Sequence, residues 1–262
     1  MQSNAERRIA LQLGCDHTEY GTYVLGRISQ RTVWAISVGA DRGSPSLAAK
    51  GDKSFPNEDA LLAIEQGDRV VLAVADAHFG RESSHDLLRD LAVKLVTVPG
   101  TSEELAGLLQ ELAEQEPGPP QRSATTLVVG VYDRAAREGF GVSFGDSTFA
   151  VVGESGQQRT VETRGSYYVT PAHPAGLQPE LADWFSFSAG ANDLLLAYTD
   201  GIDECHYCRP ETSITPEIMA RLWRETGSDP EAYVRRLVEL ALSGVDENPG
   251  GQDNIAVVAA RA

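Results

Sequence analysis

The sequence predicts an α+β fold in which helices cover antiparallel sheets. Short runs rich in Val, Leu, Ile and Ala, most of them bounded by Gly, Asp or Pro, are typical of buried strands. These runs come in blocks instead of alternating strictly with helical segments, which argues against a doubly wound parallel sheet. Two of them flank the Gly-Asp-Ser turn at residues 145–147 and predict a hairpin, a connection between antiparallel strands.

The individual elements follow from apolar periodicity and from capping signals. The predicted strands cover residues 32–38, 69–75, 125–132, 140–144, 149–152, 193–199 and 254–260. The predicted helices, which open with Ser, Thr, Asp or Pro, cover residues 83–96, 102–114, 215–225 and 229–243. Because the apolar runs reach both ends without an obvious linker, we expect one domain over residues 1–262.

The charge balance limits the partners. Acidic residues outnumber basic ones 38 to 22, for a formal net charge of −16. A surface of this kind repels nucleic acid and anionic lipid, so we expect neither partner. No apolar run is long enough to span a bilayer, and the first residues lack the features of a signal peptide. We therefore expect a cytoplasmic protein.

The three cysteines predict no disulfide framework. Cys205 and Cys208 form a C-x-x-C pair, and Cys15 with His17 could complete a zinc site. A structural zinc site normally shows two such pairs, however, and the sequence holds one. The alternative is that these are buried, reduced thiols of a cytosolic protein, and we favour it.

Carboxylates follow or precede the predicted strands. The acids at strand ends are Asp76, Asp146, Asp200 and Asp253, and a Pro-Asn-Glu-Asp loop adds Glu58 and Asp59. Each one alone is an ordinary turn residue. If the strand ends converge, the carboxylates repel one another unless cations neutralise them. Oxygen ligands without a His/Cys set favour Mg²⁺ or Mn²⁺, and two such ions can activate a water for attack on a phosphoryl group.

The same segments carry a family resemblance. In chain order they are NEDA (57–60), VADAHFG (74–80), SATTLVVGV (123–131), FGDS (144–147), LLLAYTDGI (194–202) and GGQDNIAVV (250–258). Together they resemble the motifs of the metal-dependent protein phosphatases (PPM, type 2C), and the compact form is similar to the bacterial branch. The resemblance covers about residues 36–260, so residues 1–35 are expected to be an N-terminal extension or an extra strand.

The resemblance implies a four-layer α-β-β-α sandwich with two or three Mn²⁺ or Mg²⁺ ions at one end. A water activated between two ions would hydrolyse phosphoserine or phosphothreonine in a phosphorylated protein that belongs to a Ser/Thr kinase system. Asp76 would bridge the ions, Ala77 would offer its carbonyl, His78 would protonate the leaving oxygen, and Asp146 would help hold a third ion. The remaining implied ligands are Glu58 and Asp59 on one side and Asp200 and Asp253 on the other.

Two departures from the family pattern concern substrate binding. The DGHGG motif is DAHFG here, so Ala77 and Phe79 stand where the family has glycines. The stretch just before and including the NED motif, AAKGDKSFPNED (48–59), contains no arginine to bind phosphate. Lys53 is the replacement we predict, with Arg81 as a second candidate. Residues 155–190 resemble the corresponding family segment poorly.

Two other functions remain open from the sequence. A pseudophosphatase would bind a phosphoprotein or partner without turnover, as the altered DAHFG motif allows. A GDS-type serine hydrolase would use Ser147 as nucleophile with Asp203 and His206, but that reading leaves the other acids unexplained.

Overall fold

The structure is a computed structural model and describes residues 6–40, 56–114, 123–153, 158–160, 168–169, 177–207 and 209–262. The strands in chain order are β1 (Arg7–Leu13), β2 (Val24–Arg27), β3 (Thr32–Ser37), β4 (Asp59–Gln66), β5 (Arg69–His78), β6 (Ala124–Thr125), β7 (Leu127–Asp133), β8 (Glu138–Phe144), β9 (Thr148–Val152), β10 (Gln158–Thr160), β11 (Asp183–Ser188), β12 (Leu194–Tyr198) and β13 (Ile255–Arg261). The α-helices in the described residues are α1 (Glu82–Lys94), α2 (Ser102–Ala113), α3 (Pro216–Glu225) and α4 (Pro230–Ser243).

The strands form two antiparallel sheets. The first has the order β1-β4-β5-β7-β8-β11, with β6 paired to the end of β5. The second has the order β10-β9-β12-β13-β3-β2. Every strand pairing in the described residues is antiparallel, which confirms the predicted α+β class.

Strand alternation divides the core into three layers. On β5, Val71 and Ala73 pack towards α1 and α2, whereas Leu72 and Val74 face the second sheet. The outer face of the second sheet packs on α3 and α4 around Trp223. Both faces of each sheet are therefore covered, and this explains why the central strands are continuous apolar runs. The four-layer α-β-β-α arrangement is confirmed.

Helices α2, α3 and α4 begin at their predicted capping residues, whereas α1 begins at Glu82, one residue before the predicted Ser83, without a side-chain cap. Thr101 Oγ1 accepts a hydrogen bond of 3.2 Å from the backbone N–H of Glu104 at the start of α2. Thr215 caps α3, and Asp229 caps α4 by accepting from the N–H of Glu231 at 2.9 Å. Such caps satisfy backbone donors that the first helical turn leaves unpaired.

The predicted hairpin at residues 145–147 is wrong. Strand β8 belongs to the first sheet and β9 to the second, so the Gly-Asp-Ser segment carries the chain from one sheet to the other. Gly145 supports this crossover with φ of +80°, a backbone conformation that glycine adopts at little cost. Hairpins and crossovers use the same turn residues, so the local sequence does not separate them.

Several strands had not been predicted. Strand β4 is a buried run whose first residue, Asp59, had been assigned to a loop. Strand β11 lies in the segment that resembles the family poorly, and its Phe185 and Phe187 pack on Phe149. Residues 1–35 supply β1 and β2, which are edge strands of the two sheets. Edge strands carry a weak apolar signal because one side of the ladder is open.

A buried ion pair lies at the end of the sandwich where β4 turns into β5. Arg134 donates to Glu65 Oε1 at 2.7 Å, and Thr32 Oγ1 donates to the same oxygen at 2.6 Å. Both charged side chains are 11% exposed. Burial raises the pKa of Glu65, but the hydrogen bonds from Thr32 and Arg134 outweigh burial and leave the pKa lowered.

We expect Glu65→Gln to destabilise the protein by about 2–3 kcal/mol at pH 7, because Arg134 then stays buried without its counter-charge. A lowered carboxyl pKa stabilises the fold above the unfolded pKa, and this contribution is lost as the pH falls through the folded value. The difference from the unmodified protein should therefore shrink below about pH 4. Urea unfolding over a pH series measures this.

The matched control for this measurement is Glu111→Gln, which removes an exposed acid paired with Lys94. Its effect should stay below about 1 kcal/mol at every pH. If the effect of Glu65→Gln on the free energy of unfolding did not depend on pH, the lowered pKa of Glu65 in the folded protein would be contradicted.

Candidate active site

The site begins with two carboxylates that the β4–β5 register places face to face. Asp59 and Asp76 are directly paired, and both continue the strand positions that point into the space between the sheets. Like charges directly opposite each other in a sheet are destabilising. Asp59 is fully buried and accepts a hydrogen bond of 2.7 Å from Thr199 Oγ1. Thr199 directly follows β12 of the second sheet. Asp76 instead lines an open cavity.

This cavity lies at the end of the sandwich and has a volume of about 280 Å³. Its walls are acidic and aromatic: the residues that line it are Glu58, Asp76, His78, Phe79, Asp146, Tyr168, Asp200, Glu204, Tyr207 and Asp253. Among these described residues there is no lysine or arginine. The cavity is therefore a strongly negative site with an aromatic rim.

The chemistry of this donor set fits divalent cations. Glu58, Asp76 and Asp253 are at most 4% exposed, and Asp200 is 9% exposed. Burying several carboxylates beside one another is unfavourable unless positive charge accompanies them. Oxygen donors of this kind suit Mg²⁺ and Mn²⁺. In the described part of the chain, no three acid, histidine or cysteine groups stand close enough to share one ion.

The other predicted site residues are placed as follows. Asp59 does not line the cavity, because its side chain lies one layer deeper against Thr199. Ala77 is buried in β5 opposite Thr125 and does not line it either. Since Ala77 is in a regular strand, it needs no positive φ, and alanine is tolerated where the family has glycine. Lys53 lies outside the described residues. Their roles at the metal centre stay predictions.

Asn254 connects the segments that carry the acids. Its Oδ1 accepts from the backbone N–H of Glu58 at 2.9 Å, while its Nδ2 donates to the carbonyls of Pro56 at 2.8 Å and Val38 at 3.1 Å. A Cβ on Gly201 would lie 1.8 Å from the Asn254 carbonyl oxygen, so only glycine fits between Asp200 and the next turn. Asn254 thus fixes the turns around the acids.

His78 and Tyr168 form one wall of the mouth. His78 Nδ1 is 3.9 Å from Asp76 Oδ1, its side chain is 38% exposed, and its ring centroid is 5.1 Å from that of Tyr168. Tyr168 donates a hydrogen bond of 2.6 Å to Asp146 Oδ2. Burial, followed by this contact with Asp146, raises the pKa of Tyr168 above its ordinary value. The phenol therefore keeps its proton and orients Asp146 on the exposed crossover.

Phe79 projects from the rim with a strained backbone. Its φ is +62°, and its side chain is 69% exposed. A bulky side chain in the left-handed region costs about 1–2 kcal/mol, which the family's glycine would avoid. This strained backbone conformation places the Phe79 ring at the entrance of the acidic cavity.

The arrangement does not support a serine nucleophile. Ser147 is fully buried and shares a hydrogen bond of 2.6 Å with Thr126 Oγ1. His206 Nδ1 is engaged at 2.6 Å by Thr212 Oγ1. A nucleophile must reach its substrate and its base, so the serine hydrolase reading is wrong.

The cysteines show no sign of a zinc site in the described residues. Cys205 is buried, and burial raises the pKa of its thiol, which makes it unreactive. Cys15 is partly exposed, and burial likewise raises the pKa of its thiol. Cys208 lies outside the described residues.

Three cavity residues had not been predicted. Glu204 follows Asp200 by four residues, and its N–H donates to the Asp200 carbonyl at 2.6 Å, so the turn brings both acids to one side. The four-residue spacing of the two acids could have been used to predict Glu204 as a cavity residue. Tyr168 and Tyr207 could not have been predicted, because aromatic residues are common in loops and their sequence does not indicate their orientation.

The repulsion among the cavity acids gives a test that does not depend on activity. In EDTA, Asp76→Asn should raise the melting temperature by about 2–4 °C, since it removes one of two opposed charges at unchanged volume. With Mn²⁺ the unmodified protein should have the higher melting temperature of the two, because ion binding stabilises it more than it stabilises the variant. Differential scanning fluorimetry with and without Mn²⁺ measures both.

Asp86→Asn on α1 is the matched control, because Asp86 is exposed and pairs with Arg89. It should leave both melting temperatures unchanged. If Asp76→Asn lowered the melting temperature in EDTA and kept the full Mn²⁺ shift, Asp76 would not belong to a cation site.

Several solved structures share the fold. A bacterial serine phosphatase aligns over 89% of this chain and 99% of its own, with 17% identity and a TM-score of 0.65. The PPM Ser-Thr phosphatase MsPP from Mycobacterium smegmatis, in complex with cacodylate, covers 87% and 97%, with 21% identity and a TM-score of 0.60. The catalytic domain of PstP, in complex with two manganese ions, covers 92% and 99%, with 23% identity and a TM-score of 0.59.

Sequence comparison identifies the family. No curated protein matches the chain significantly. The family described as Stage II sporulation protein E (SpoIIE) matches residues 75–262, which is most of the chain and includes Asp76, Asp146, Asp200 and Asp253. The motif resemblance and the fold agree with this match. The chain therefore belongs to the SpoIIE family, and it shares the fold of the bacterial PPM phosphatases described above.

Proposed function

We propose that this chain is a metal-dependent phosphatase that hydrolyses phosphoserine and phosphothreonine esters of proteins. The observation that carries the proposal is the cavity itself, where six acids from five segments of the chain meet without a lysine or arginine among the described residues. Membership of the SpoIIE family and the fold shared with Ser/Thr phosphatases support it. The manganese ions of PstP make Mn²⁺ or Mg²⁺ the natural cofactor.

The cavity residues divide into those that hold ions and those that act on the substrate. Asp76 would bridge two ions, with Asp200 and Asp253 on one side and Glu58 on the other. Ala77 would contribute its carbonyl and Asp59 would act through water. Asp146, which Tyr168 orients, would help hold a third ion. When bound, the ions supply an activated water and polarise the phosphoryl group.

Two basic residues handle the substrate in this proposal. His78 stands at the mouth beside Asp76, where its ring can give a proton to the departing seryl or threonyl oxygen. Lys53 would bind the phosphate. Arg81 is the weaker choice, because it stands at the N-terminal cap of α1 and does not line the cavity.

The partner in this proposal is a phosphorylated protein of a Ser/Thr kinase system in the cytoplasm. The described residues include no helix that could cross a membrane. The excess of acidic residues opposes binding to nucleic acid or anionic lipid. A second candidate is the pseudophosphatase, favoured by the position of Phe79 across the mouth.

The decisive test is hydrolysis of p-nitrophenyl phosphate and of a phosphothreonine peptide with Mn²⁺ and with EDTA. We expect activity with Mn²⁺ and none with EDTA. Asp76→Asn should lower kcat by about a hundredfold or more, since ion positioning supplies several kcal/mol of transition-state stabilisation. Asp86→Asn should leave kcat unchanged. Ion binding without turnover in the unmodified protein would instead support the pseudophosphatase.

The role of His78 has its own test, in which two substrates differ in the leaving group. Seryl and threonyl oxygens need a proton to depart, whereas nitrophenolate is a good leaving group without one. His78→Gln should therefore lower kcat on the phosphothreonine peptide by about a hundredfold and much less on p-nitrophenyl phosphate. His206→Gln is the control. Equal losses on both substrates would show that His78 positions other groups and donates no proton.

A further inference from the structure

A second cavity lies at the end of the sandwich opposite the acids, and it is basic. Its volume is about 300 Å³, and the residues that line it are Arg31, Tyr132, Arg134, Arg137, Ala191, Asn192, Arg261 and Ala262. Four arginines thus meet in one place in a protein whose acids outnumber its basic residues 38 to 22. No aspartate or glutamate lines the cavity among the described residues.

The fold brings these arginines together from distant parts of the sequence. Arg31 precedes β3, Arg134 and Arg137 lie in the turn between β7 and β8, and Arg261 ends β13. The backbone N–H of Arg261 donates to the Arg31 carbonyl at 2.9 Å, which joins two of the segments. Arg137 has φ of +60°, so the turn that carries it is also strained.

The charges of this cavity are only partly neutralised. Arg134 pairs with Glu65. The guanidinium groups of Arg31, Arg137 and Arg261 form no ion pair or hydrogen bond with any described residue. Three cationic groups that converge without a counter-ion make a site for an anion.

We propose that this arginine cavity binds a phosphate-bearing anion of compact size. The planar fork of arginine matches the oxygens of phosphate, and several forks from different segments can surround one such group. The one aromatic side chain in the lining, Tyr132, is 1% exposed and donates its hydroxyl to the Ala189 carbonyl at 3.0 Å. No ring is offered for stacking a base, so inorganic phosphate or pyrophosphate fits better than a nucleotide.

The arginine cavity is separate from the proposed active site. On β5, the cavities lie towards opposite ends of the stretch from Arg69 to Asp76, and seven residues of strand span roughly 23 Å. Anion binding there needs neither metal nor substrate. The proposal therefore stands or fails independently of the phosphatase assignment.

The test is a calorimetric titration of metal-free protein in EDTA at low salt with pyrophosphate and with inorganic phosphate. In EDTA the acidic cavity repels anions, so the arginine cavity should account for the binding. We expect one saturable site, weakened when sodium chloride is raised from about 50 to 200 mM. The double variant Arg137→Gln/Arg261→Gln should bind about tenfold or more weakly, because two of the guanidinium groups that would bind the anion are then missing.

The matched control is Arg221→Gln/Arg236→Gln, which removes two exposed arginines from α3 and α4 and changes the net charge equally. It should bind like the unmodified protein. The thermal unfolding of all variants checks that they fold, and Arg31→Gln serves as the second variant if the double one does not. Absence of saturable binding, or equal weakening in the control, would overturn the proposal.

Tighter binding of a phosphoserine peptide than of either inorganic anion would also support the phosphate site, and would assign its ligand to a phosphorylated side chain. Tighter binding of pyrophosphate would assign it to a free anion.

Discussion

The pairing of Asp59 with Asp76 across β4 and β5 is the constraint on which the rest of the site depends. Strand side chains alternate, so a slip of one residue in either strand would turn that strand's carboxylate from the space between the sheets to the helical face. The fold accepts the pair by treating its members differently. Thr199 reaches across from the second sheet to Asp59, which makes this carboxylate part of the joint between the sheets. Asp76 is left at the cavity wall, where a cation can neutralise it.

The side chain of Asn254 holds together the loop segments that carry the acids. One amide side chain satisfies the backbone of Glu58 and two carbonyls, so the segment before β4 and the segment before β13 keep a fixed distance. Gly201 allows the turn after β12 to approach that point closely. The acids therefore come from segments that are distant in sequence, but hydrogen bonds and close packing fix these segments relative to one another. The cavity at the opposite end of the sandwich carries positive instead of negative charge. The acidic and the basic cavity are therefore separated by the length of the strands.

Much of this was predictable from the sequence, and the exceptions have physical reasons. Asp76, Asp200 and Asp253 end or precede apolar runs, and runs of that kind become central strands whose ends meet. The depth of Asp59 was not predictable, because it depends on strand register and on a partner, Thr199, that is 140 residues away. The crossover at Gly145 was not predictable either, since its residues suit a hairpin equally well. Tyr168 and the arginine cavity arise from tertiary packing alone, without any local pattern.

Phe79 connects the conformation of the backbone with the choice of substrate. A left-handed phenylalanine is unfavourable by about 1–2 kcal/mol, and a side chain that is 69% exposed recovers little of this by burial. A glycine at this position would remove the strain without loss of packing. The ring therefore has no structural benefit among the described residues that offsets its cost. If the chain is the phosphatase proposed above, the acids would set the reaction, and Phe79 with His78 and Tyr168 at the cavity entrance would limit which phosphorylated partners approach them.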